Sequence, residues 1–67
     1  MEPKIVELEM RYDEADGVFV VGNTGIIIKA PRDERAEVED FLGRKLCDNP
    51  ELQLRLGVLG ADIVRFV

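Results

Sequence analysis

The feature that most constrains this chain is a pair of apolar runs, Val18-Phe19-Val20-Val21 and Ile26-Ile27-Ile28, separated only by Gly22-Asn23-Thr24-Gly25. β-Branched and aromatic residues favour extended backbone, and a Gly/Asn-rich spacer of this length closes a hairpin. A type I turn centred on Asn23-Thr24, with Gly25 left-handed behind it, suits the spacing. A phosphate-binding reading of the same spacer fails because no lysine and no helix follow it. Side chains alternate between the faces of a strand. Val18 and Val20 therefore oppose Phe19 and Val21, while Ile26 and Ile28 oppose Ile27. Whichever face a helix covers, large apolar groups remain on the other.

The flanking segments define the class. Ile5 to Tyr12 alternates Val6, Leu8, Met10 and Tyr12 with Glu7, Glu9 and Arg11, a strand with one wet face. Asp13 to Gly17 reads as a turn. Pro31 ends the hairpin's second strand, and Asp33 is positioned to cap a helix over 33–47. Val38, Phe41, Leu42 and Leu46 recur at helical spacing on its apolar face. Asp48-Asn49-Pro50-Glu51 restarts a helix. Residues 50–59 carry Leu52, Leu56 and Leu59 at helical spacing, but Leu52, Leu54, Leu56 and Val58 also alternate. Leucine, glutamine and arginine favour a short helix there, with the strand left open. Ile63 to Val67 reads as a strand docked into the sheet. The expectation is a single α+β domain over 1–67. Its antiparallel sheet of three to four strands carries one main and one short helix, in the order β-β-β-α-α-β.

Size and composition narrow the chemistry. A chain of 67 residues has little core to offset its ordering entropy, and most such chains rely on a disulfide, a metal or a partner. One cysteine forms no internal disulfide, and without histidine no zinc cluster is formed. The absence of histidine and serine also excludes a serine triad, a cysteine–histidine pair and histidine general-base catalysis. No cofactor or metal is expected, and the chain is not expected to be an enzyme. Association, with itself as a homodimer or higher oligomer or with a larger protein, is the remedy left.

Several candidate sites have plain alternatives. The acidic residues Asp13, Glu14 and Asp16 lack the spacing of a calcium loop and read as a solvated turn. Cys47, at a helix end beside Asp48, reads as a structural thiol. Arg32, Arg35, Arg44 and Lys45 could contact nucleic acid in an oligomer. Five acidic neighbours interleave them, and the net charge of −5 opposes phosphate, so nucleic acid is the lesser expectation. Met1-Glu2-Pro3-Lys4 has no signal-peptide pattern, and no apolar run approaches a membrane span. A cytoplasmic protein with no membrane partner is expected.

The length and hairpin-then-helix order are similar to those of small sulfur-carrier and ubiquitin-like proteins. Their Gly-Gly motif has no counterpart at Arg65-Phe66-Val67, and the N-terminal proline of small tautomerases has none at Met1-Glu2-Pro3. No family follows. The expected function is therefore that of a small non-catalytic interaction module, with Phe19, Val21 and Ile27 on a self-association or partner surface.

Overall fold

Two tight turns build the centre of the molecule. In the computed structural model, which describes residues 2–67, strands β2 (Met10–Asp13), β3 (Val18–Val21) and β4 (Ile26–Lys29) form an antiparallel sheet in that order. Tyr12 lies opposite Phe19, Arg11 opposite Val20, and Val20 opposite Ile27. The second turn keeps the expected left-handed Gly25 but is centred one residue earlier than expected, on Gly22-Asn23, with Gly22 at φ +35°. Thr24 N–H donates to the Val21 carbonyl at 3.1 Å, and Gly25 has φ +80°, a conformation that strains residues with a Cβ.

The expected first strand is two pieces, β1 (Ile5–Leu8) and β2, interrupted at Glu9. Alternation continues through the break, since Leu8, Met10 and Tyr12 all pack toward the core. β1 pairs with the C-terminal strand β5 (Ile63–Phe66), and this pairing is parallel, Ile5 to Ile63 through Leu8 to Phe66. Val67 N–H donates to the Leu8 carbonyl at the end of this pairing, and Met10 N–H, from β2, donates to the Val67 carbonyl and links it to the antiparallel sheet, each at 2.9 Å. The parallel direction follows from the helical crossover between β4 and β5. At the entry to β5, Lys4 N–H donates to Asp62 Oδ2 at 2.8 Å, and Asp62 N–H donates to the Lys4 carbonyl at 2.9 Å.

After Pro31 a 3₁₀ turn (Arg32–Glu34) leads into α1 (Arg35–Asp48). Asp33 does not cap this helix, because it lies inside the 3₁₀ turn, and neither that turn nor α1 starts on a side-chain cap. Val38, Leu42 and Leu46 are buried beneath α1 as expected. Phe41 is not, being 53% exposed. The helix leans toward β5 on its Gly43 side, where a Cβ on that glycine would lie 3.9 Å from the Val64 carbonyl. At ~100° per residue, Phe41 sits about 200° away from Gly43 and faces solvent.

The short helix reading holds for 50–56: α2 (Pro50–Leu56) starts with Asn49 Oδ1 accepting from Leu52 N–H at 3.0 Å and ends at Gly57 with φ +75°. Its buried residue is not a leucine but Gln53, 4% exposed. The Gln53 amide donates to the Leu46 carbonyl at 2.6 Å and to the Ala61 carbonyl at 3.3 Å, and its oxygen accepts from Gly60 N–H at 3.1 Å. One side chain thus ties the end of α1 to the chain that leads into β5. The main core is Met10, Phe19, Val21, Val38 and Leu42, with Leu8, Tyr12, Ile26, Ile28, Ala30 and Phe66 packed around it.

Candidate interaction surface

The helices cover one face of the sheet, and that choice decides which hairpin residues meet solvent. Phe19 and Val21 lie beneath them, 1% and 0% exposed. The expectation that these two belong to an outer surface is therefore corrected: they are core. Phe19 packs edge-on against Tyr12, with ring centroids 4.7 Å apart. Ile27 lies on the other face and is 62% exposed. Its cross-strand partner Val20 is half-buried, as is Val18 beside it. The apolar surface of the hairpin is thus Val18, Val20 and Ile27, not Phe19 and Val21.

A signal for this assignment runs through the first strand. Directly opposed residues share a face. The wet face marked by Glu7, Glu9 and Arg11 therefore passes from Arg11 to Val20 and on to Ile27. The other parity runs from Tyr12 to Phe19 to Ile28 and lies under the helices.

Alternation places Ile5, Glu7, Glu9, Arg11, Asp13, Ile63, Arg65 and Lys29 on the same outer face as Val20 and Ile27. Three acidic residues (Glu7, Glu9, Asp13) meet three basic ones (Arg11, Lys29, Arg65), so the face carries 3 − 3 = 0. The chain's net charge of −5 then resides elsewhere. A face of zero net charge with an apolar hairpin, on an acidic molecule, is where another macromolecule approaches with little repulsion.

The outer edge of β4 is the second half of this surface. Ala30 N–H donates to the Gly17 carbonyl at 3.3 Å, and Gly22 N–H donates to the Glu9 carbonyl at 2.7 Å. Antiparallel alternation from both bonds directs Ile26 and Ile28 toward β3. It leaves the N–H and C=O groups of Ile27 and Lys29 pointing away from the sheet. β4 is the last strand of its sheet, so among the described residues those groups have no strand beside them.

Size and shape agree. The accessible surface is 4819 Å², whereas a compact monomer of this mass exposes about 4,300 Å². The Cα radius of gyration is 12.0 Å and the extents are 41 × 20 × 17 Å, against ~11 Å for a compact chain of this length.

The other candidates are occupied locally. Arg32 pairs with Glu14, Arg35 Nε with Glu39 at 2.7 Å, and Arg44 with Asp40 at 3.1 Å. The Lys45 ammonium lies 5.7 Å from the centre of the Phe41 ring. Within α1, nine positions at ~100° each put Arg35 and Arg44 about half a turn apart. Asp13 Oδ1 accepts from Ala15 and Asp16 N–H at 3.0 and 3.3 Å, holding its own turn. Among the described residues, no group of three His, Cys, Asp or Glu is placed to hold a metal ion. The Thr24 hydroxyl donates to the Val21 carbonyl at 2.7 Å and accepts from Ile26 N–H at 3.1 Å. The half-buried Cys47 thiol donates to the Asp62 carbonyl at 3.3 Å. Among the described residues, no helix is long and apolar enough to cross a membrane. No family model, no curated protein and no solved structure matches this chain.

Proposed function

We propose that this chain is a small non-catalytic protein–protein interaction module that works through the uncovered face of its β3–β4 hairpin, Val18, Val20 and Ile27. The observation that carries the reading is Ile27, a large aliphatic side chain 62% exposed at the middle of an edge strand. Support comes from the neutrality of the surrounding face and from surface about 500 Å² in excess of a compact monomer's. Binding nucleic acid through Arg32, Arg35, Arg44 and Lys45 is the weaker reading, because three of the four already hold carboxylates.

The test is photo-crosslinking in the producing cell, with a benzophenone amino acid replacing Ile27 or, as control, Glu37 on the exposed side of α1. A discrete protein adduct from position 27 and none from 37 is expected. No adduct from 27, or equal adducts from both, contradicts the proposal.

A further inference from the structure

We infer that the partner is a second copy of this chain, joined strand to strand through the outer edge of β4 about a two-fold axis. The inference rests on the reading of the hairpin as the interaction surface and adds the occupant and its geometry.

The free edge carries two residues, Ile27 and Lys29, whose backbone donors and acceptors point outward. An antiparallel neighbour satisfies such a row, and strand addition is a general mode of recognition. A second copy fits because the edge is self-complementary. If Ile27 exchanges both backbone bonds with Ile27 of the second copy, Ile26 falls opposite Ile28 and Ile28 opposite Ile26. The three isoleucines then meet only one another across the axis, and Lys29 falls opposite Gly25. On the outer face, the cross-strand pair Val20–Ile27 continues into the same pair of the second copy, giving one four-residue apolar stripe. On the other face, Ile26 and Ile28 border the core cluster, and pairing extends that cluster across the axis.

Charge selects the same edge. Two copies at −5 each repel, and the segment Gly22–Ala30 is where that repulsion is least: its one charged residue is Lys29. An edge lysine ordinarily discourages strand addition. Here Lys29 lies two residues outside the axis, on the solvent face, where its ammonium stays in water as the stem packs.

Sedimentation equilibrium of the purified full chain, from micromolar to millimolar concentration, tests this. The expected mass rises to twice 7.6 kDa. Ile27→Pro removes an outward N–H while leaving the bonds to β3, and is expected to return the chain to a monomer with unchanged circular dichroism. Glu37→Gln, on the exposed side of α1, is expected to stay dimeric. Should Ile27→Pro fail to fold, hydrogen exchange on the wild-type chain decides. The Ile27 and Lys29 amides are expected to slow by roughly tenfold or more on concentration, as the paired fraction passes about nine-tenths. Those of Ile26, already bonded to the Thr24 hydroxyl, and Ile28, already directed to β3, change little.

A monomer at every concentration overturns the inference. So does a dimer that survives Ile27→Pro or is lost with Glu37→Gln, or exchange at Ile27 that ignores concentration. A monomeric chain that still crosslinks from position 27 to a different protein defeats self-pairing alone. The wider reading falls with the loss of that adduct or with equal adducts from positions 27 and 37.

Discussion

Replacing Gln53 with alanine is expected to lower the melting temperature by roughly 10–25 °C. Its amide donates to the Leu46 and Ala61 carbonyls and its oxygen accepts from Gly60 N–H, all in a site where the side chain is 4% exposed. Truncation strands these backbone groups in the interior. Each buried group left without a partner costs ~1–3 kcal/mol, which for this site sums to about 2–4 kcal/mol after partial relaxation. In a domain of this size each kcal/mol moves the melting temperature by ~4–8 °C. Gln53→Glu is expected to be nearly as costly, because it keeps the acceptor for Gly60 but turns an oxygen toward two carbonyls. Thermal melts by circular dichroism read both variants. A shift under about 3 °C for Gln53→Ala would show that the tie between α1 and β5 is dispensable.

Phe19→Asp is expected to abolish folding. The ring is 1% exposed and packs against Tyr12 at 4.7 Å between centroids. Removing a buried phenylalanine costs ~3–5 kcal/mol before any charge is considered. A carboxylate with no partner adds several kcal/mol more. A chain of 67 residues has about 3–10 kcal/mol of total stability to lose. Ile27→Asp, on the opposite face, is expected to stay folded and to lose association. The contrast is sharp because the two positions lie on neighbouring strands of one hairpin. A well-folded, soluble Phe19→Asp protein would mean that the helices do not cover this side of the sheet.

How far the fold could be read from the residues depended on how strongly each segment's local chemistry agreed with its surroundings. The hairpin was readable because β-branched runs and a Gly-Asn-Thr-Gly turn point to one conformation. The start of α2 was readable because Asn49 and Pro50 are cap and first-turn residues. The side on which the helices settle was harder, since Val18-Phe19-Val20-Val21 is apolar in both parities. Carrying the wet face of Glu7, Glu9 and Arg11 through the Glu14–Gly17 turn resolves it, because that face arrives at Val20 and Ile27. Phe41 misled through its spacing: it shares a helical repeat with Leu42 and Leu46, yet the lean of α1 toward β5 turns it outward. Gln53 gave no signal beyond being a polar residue among leucines. Its partners are backbone carbonyls and an amide that converge only once α1, α2 and the approach to β5 are packed together.

These effects join in one physical picture. The helices enclose the Phe19 and Val21 side of the sheet, and the other side, with the β4 edge, is left for another protein. Solvent paramagnetic relaxation enhancement on a methyl-labelled wild-type chain, measured with an inert soluble probe at low and high protein concentration, addresses both halves at once. The picture requires Val21 to be silent throughout, and Ile27 to respond strongly when dilute and weakly when concentrated. Equal response from Val21 and Ile27, or an Ile27 response that stays strong at every concentration, would contradict it.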